Sequence, residues 1–117
     1  MKVNRIIPDI AVDDIDAVRE FYSGFLGLSS EEFNLGWVER FTSPDTGASV
    51  QVLTGDETGQ TNPVASVLVE DVDAAFADAQ EQGIEIIHPL THEEWGVRRF
   101  FVRAPDGNVF NIVAHPE

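Results

Sequence analysis

The sequence predicts an α+β fold of two tandem βαβββ modules, forming an open, curved eight-stranded sheet around a cleft. Three observations predict it. A motif recurs, Val12-Asp13-Asp14-Ile15-Asp16-Ala17 and then Val69-Glu70-Asp71-Val72-Asp73-Ala74. Each copy runs on into apolar residues at three-and-four spacing and ends in a glycine, Gly27 or Gly83. Each copy then reaches a turn, Pro44-Asp45-Thr46-Gly47 or Pro105-Asp106-Gly107, followed by a β-like run. At 117 residues the chain is one domain, with a first module of about 1–54, a linker over 55–63 and a second module of about 64–117.

The first strand covers residues 5–12. Alternation sets Ile6, Ile10 and Val12 against a helix and leaves Arg5, Ile7, Asp9 and Ala11 on the other face. Asp13 or Asp14 caps the first helix, whose stripe is Ile15, Val18, Phe21, Tyr22 and Phe25. Residues 28–33 and 37–41 follow as strands. In the fourth strand Val50 and Val52 oppose Ser49, Gln51 and Leu53. The next stretch, 54–63, holds Gly, Asp, Thr, Gln, Asn and Pro without periodicity and reads as an exposed linker.

The second module repeats the order. A strand over 64–69 leads to a helix capped by Asp71 with the stripe Val72, Ala75, Phe76 and Ala79. Strands over 84–87 and 96–101 precede the turn, and in the last strand Phe110 and Ile112 oppose Val109, Asn111 and Val113. One face of each sheet is apolar. The other mixes apolar and polar side chains, as the wall of a small-molecule cleft does.

Composition narrows the function. The chain has no cysteine, which excludes disulfides, iron–sulfur clusters, thiolate zinc sites and a cysteine nucleophile. Seven basic against twenty-one acidic residues give a net charge of −14, a field that repels nucleic acid and anionic lipid. That field favours a cationic ligand, or simply keeps the surface soluble. Pro8 and Asp9 break the N-terminal apolar stretch, so it reads as neither a signal-peptide core nor a membrane span, and a cytoplasmic location is expected.

Taken in order, Val12-Asp13-Asp14-Ile15 with Phe21-Tyr22 and Leu26-Gly27-Leu28, Val69-Glu70-Asp71-Val72 with Gly83, and Pro105-Asp106-Gly107-Asn108 resemble the vicinal oxygen chelate superfamily. That superfamily includes glyoxalase I, extradiol dioxygenases, fosfomycin-resistance enzymes and bleomycin-resistance proteins. The resemblance covers nearly the whole chain and implies paired βαβββ modules assembled as a homodimer. It also implies four metal-ligand positions, which fall here at Ile7, Gln51, Val64 and Asn111. Two aliphatic groups and two carboxamides make a poor nest for a divalent cation, so no metal or other cofactor is expected. The metal-free, bleomycin-resistance-like branch is the one the chain resembles.

On that resemblance the chain is expected to bind and sequester a small aromatic or cationic organic molecule. Trp37, Phe41, Trp95 and Phe101 would wall the cleft, and Asp9, Gln51, Ser66 and Asn111 would supply its polar points. No residue is assigned a catalytic role. The alternative is a glyoxalase-like lyase or isomerase, or a dioxygenase, with a non-standard metal site or a metal-free acid–base pair. A third reading is an accessory dimer whose cleft is filled by Ile7, Val64 and Leu53. Either tryptophan also suits a core or a dimer interface. His88 and His92 flank Pro89, which argues against a helical metal pair. His92-Glu93-Glu94 reads as solvated loop charge or an acidic lip, and one of Arg98 and Arg99 faces the cleft.

Overall fold

A computed structural model describes residues 1–59 and 61–115. The elements are β1 (Val3–Ala11), α1 (Ile15–Arg19), a π-helical turn (Glu20–Phe25), β2 (Ser30–Asn34), β3 (Val38–Thr42) and β4 (Ser49–Leu53). The order then repeats as β5 (Ala65–Val69), α2 (Val72–Glu81), β6 (Glu85–His92), β7 (Arg98–Arg103) and β8 (Val109–Ala114). This is the α+β, twice βαβββ arrangement expected from the repeat. Of the expected linker, residue 60 lies outside the described residues. No helix among the described residues is long and apolar enough to cross a membrane.

The chain divides into two compact units, Pro8–Asn62 and a second unit made of Met1–Ile7 with the residues from Pro63 onward. In the first unit the hydrogen-bonded order is β2-β3-β4-β1. β1 runs parallel to β4, with Asp9 opposite Gln51, and β3 runs antiparallel to β4, with Arg40 opposite Gln51. The Asp14 carboxylate accepts from the Asp16 backbone N–H at 3.0 Å and so starts α1. Ile15, Leu28, Phe41 and Val52 form the core, flanked by Val12, Tyr22 and Val50.

Two expectations change here. The first helix is α-helical only to Arg19 and then widens into the π-helical turn, which brings the Tyr22 ring into a stack on Phe41 at 6.0 Å. In β1, Ile6 and Ile10 are exposed, Ile6 by 65 %, while Ile7 and Asp9 on the opposite parity are buried. The alternation holds, but of the three side chains expected against the helix only Val12 packs on its core.

In the second unit the order is β5-β8-β7-β6. β5 and β8 are parallel, with Ser66 opposite Asn111, and β8 and β7 are antiparallel, with Asn111 opposite Phe101. Asp71 caps α2 by accepting the Ala74 N–H at 3.0 Å. Gly83 (φ +72°) takes the left-handed conformation just after α2, which a side chain would strain. The core is Val67, Val69, Val72, Ala75, Ala79, Phe100 and Ile112, with Phe76 edge-on to Phe100 at 5.1 Å. Burying a ring such as Phe100 stabilises the unit by roughly 1.5–3 kcal/mol.

β6 extends beyond the expected 84–87, continuing through Pro89 to His92. It is the outer strand of the order, where proline's missing N–H leaves no ladder bond broken, and its register slips between Ile86 and His88 and again between His88 and Thr91.

Candidate functional site

Strand parity separates two faces in the second unit. Val67, Phe100 and Ile112 turn to α2; Ser66, Phe101 and Asn111 turn the other way. The three are buried, Asn111 being 6 % exposed. Asn111 Nδ2 donates to Ser66 Oγ at 3.1 Å, and Asn111 Oδ1 has no hydrogen-bond partner although it is buried. Whichever way that carboxamide is turned, one end meets Ser66 and the other is left over. A polar end stranded in this way costs about 1–3 kcal/mol, and a ligand that meets it recovers that cost.

Arg99 borders the same face. Its Nε donates to Glu93 Oε2 at 2.7 Å, and its guanidinium carbon lies 4.8 Å over the Phe101 ring and 5.2 Å over the Trp95 ring. The His88 ring centre is 4.9 Å from that of Phe101. Ser66, Asn111, Phe101, Arg99, Trp95, His88 and Glu93 thus form one linked cluster. Glu93 is a correction: it is buried in an ion pair rather than solvated or part of an outer lip. His92 is exposed and lines a different groove of about 480 Å³, with Arg98, Asp73 and His115. There the Arg98 guanidinium holds the Asp73 carboxyl below its usual range by a direct hydrogen bond, and Asp73 in turn raises Arg98.

The first unit has a polar chain of its own, buried at Asp9, Arg40, Thr42 and Gln51 and opening to the surface at Glu32. Gln51 Nε2 donates to Asp9 Oδ1 at 2.9 Å, Arg40 Nε donates to Gln51 Oε1 at 3.0 Å, and Arg40 Nη1 donates to Glu32 Oε1 at 3.2 Å. Thr42 Oγ1 completes it by donating to Glu32 Oε2 at 2.9 Å. Both ends of Gln51 are engaged. Phe41, expected on the ligand side, points instead into the core between Ile15, Leu28 and Val52, because it alternates with Arg40 along β3. Trp37 is half-buried just before β3, its carbonyl accepting from the Thr54 N–H at 3.0 Å. On the opposite side of β3 from Arg40, Glu39 accepts from Arg19 Nη2 at 2.6 Å. Glu39 first and Asp16 second raise the Arg19 pKa.

Arg40 and Glu93 were missed as members of these clusters. Arg40 was findable, since the Pro44 to Gly47 hairpin sets it directly opposite Gln51; for Glu93 the sequence holds no signal.

The four positions that the resemblance assigns to metal ligands do not fit a divalent ion. Ile7 and Val64 have no donor atom, and Gln51 Oε1 is taken by the Arg40 cation at 3.0 Å. Asn111 Oδ1 is the one uncommitted oxygen among the four. Nor do three His, Asp or Glu side chains gather to hold a metal ion among the described residues.

Residues 2–112 match the family model described as Glyoxalase/Bleomycin resistance protein/Dioxygenase superfamily. Among solved structures the chain is similar to one from Legionella pneumophila titled as an NAD-dependent benzaldehyde dehydrogenase, with a TM-score of 0.77, 20 % identity and coverage of 96 % of this chain and 100 % of that one. It is also similar to a glyoxalase/bleomycin resistance protein/dioxygenase superfamily member from Vibrio splendidus 12B01, with a TM-score of 0.72, 19 % identity and coverage of 97 % and 99 %. A third is methylmalonyl-CoA epimerase from Mycobacterium tuberculosis, with a TM-score of 0.67, 20 % identity and coverage of 99 % and 89 %. At such identities these likenesses concern the fold alone. No curated protein matches the chain.

Proposed function

This chain belongs to the glyoxalase/bleomycin resistance protein/dioxygenase superfamily, and from that premise we propose that it binds a small organic molecule through the second unit, without a metal of the family kind. One observation carries the reading: Asn111 keeps a buried carboxamide oxygen without a partner, while its counterpart Gln51 has both ends engaged. Ligand sites differ from cores in this respect, because a core satisfies its polar atoms and a site keeps one for its guest.

The guest is an aromatic or cationic molecule with a hydrogen-bonding group for Asn111. Trp95 and Phe101 bring aromatic ring surface to this cluster, with the Arg99 guanidinium over both rings. The net charge of −14 attracts such molecules from solution. The protein works as a cytoplasmic homodimer in this reading; exposed Ile6, Phe21 and Phe25, the last by 79 %, offer apolar surface for a second copy to cover.

Titrating the chain with a panel of aromatic amines, amidines and neutral heterocycles, followed by amide chemical-shift mapping, tests the proposal. Binding that moves Ser66, Trp95, Phe101 and Asn111 is expected. Silence across the panel, or shifts confined to the first unit, sinks it.

A further inference from the structure

We propose that His88 and Glu93 form a proton-operated clamp on the turn that carries Trp95. The clamp is independent of which ligand the cluster takes.

His88 Nδ1 lies 2.8 Å from the Pro89 carbonyl oxygen. A carbonyl has no proton to give, so Nδ1 carries the hydrogen and donates it. The neutral ring is then left with a lone pair on Nε2, which faces Glu93 Oε2 at 3.8 Å. Two acceptors confront each other with no hydrogen between them. A proton taken up at Nε2 converts this confrontation into a charge-assisted hydrogen bond. Both side chains are buried, 10 % and 5 % exposed, where little water weakens the pair.

From the turn, the Glu93 carboxylate faces His88. From β7 comes the Arg99 guanidinium, whose Nε donates to that same Glu93 oxygen at 2.7 Å. The in-register neighbours across β7 and β8, Phe101 and Asn111, are uncharged.

Glu93 is also pinned within the turn. Its N–H donates to the Val97 carbonyl at 2.8 Å, and its own carbonyl accepts from the Gly96 N–H at 3.0 Å, with Trp95 between. Arg99 holds Glu93 from β7, and protonated His88 adds a hold from β6. Acid thus ties the turn to both strands, and base releases it from β6.

Nitrogen-15 NMR of the full chain from about pH 5 to about pH 8 tests this, by following the His88 ring nitrogens and the Trp95 indole N–H together. The neutral ring is expected to show Nδ1–H, and the Trp95 cross-peak to move with the same midpoint as His88. His88→Gln and Glu93→Gln should each abolish that movement, and His92→Gln should leave it. A neutral Nε2–H tautomer, a Trp95 peak that stays still while His88 titrates, or a Trp95 titration that survives in His88→Gln would each overturn the clamp. If a variant fails to fold, the tautomer and the paired midpoints in the parent chain decide alone.

Discussion

Arg40 donates to Gln51 across β3 and β4 at 3.0 Å, setting a fixed cation beside a side chain whose position the family resemblance assigns to a metal ligand. The bond orients the carboxamide so that its nitrogen is left for Asp9. The first unit's polar face is therefore stabilised from within.

Replacing that cation unbinds the chain at its centre. Arg40→Leu leaves Gln51 Oε1 and Glu32 without their guanidinium, and a loss of about 2 kcal/mol is expected, measured by urea unfolding. Stability unchanged within error would show the network to be incidental.

Gln51→Glu sets a second carboxylate against Asp9. Because two such groups in contact resist joint ionisation, the variant should be destabilised at neutral pH by about 1–2 kcal/mol and recover as acid protonates one of them. Thermal melts across pH would reveal the recovery. Calorimetry with nickel or manganese should still detect no tight binding, since Arg40 remains beside the new carboxylate.

In the second unit the paired exchange Ser66→Ala with Asn111→Leu removes both polar partners at once. Apolar replacement of a hydrogen-bonded pair is nearly neutral, so stability should stay within about 1 kcal/mol of the parent while affinity for any compound mapped to this face is lost. Denaturation and titration of the same sample separate the two effects. Retained affinity would move the ligand elsewhere.

Phe41→Leu should cost about 1–2 kcal/mol through lost packing against Ile15, Leu28 and Tyr22, and leave ligand affinity alone. Weaker binding in the folded variant would return Phe41 to the ligand wall.

The Asp73–Arg98 pair makes a small contribution with a definite sign. The hydrogen bond from Arg98 holds the Asp73 carboxyl below the ordinary carboxylate range, so the stabilisation is complete above the unfolded-state pKa and is lost as pH falls through the lower, folded-state pKa. Asp73→Asn should flatten this part of the acid melting curve, and salt should shrink the difference, because both groups are exposed.

The architecture was legible because it is written twice. One repeat of the valine–acidic motif fixes two helices and their flanking strands, and glycines mark both helix ends. The places of Gln51 and Asn111 were legible only through the family resemblance; the strand register sets them opposite Asp9 and Ser66. The facing of β3 was not. All five of its residues are buried, so apolar and charged side chains alternate without marking an inside. Only the hairpin register separates Arg40 from Phe41. Glu93 escaped for a different reason, since its burial depends on Arg99 and on two aromatic rings brought together by the β6–β7 hairpin. The π-helical widening after Arg19 left no mark in a stripe that suits an ordinary helix equally well.

Pro89 has one more effect. An outer strand with unpaired amides is an invitation to fibril growth, since any stray extended peptide can dock along it and recruit the next. Here the invitation is withdrawn: a newcomer at β6 meets a missing donor and two dislocated rungs, and the stacking stops before it starts.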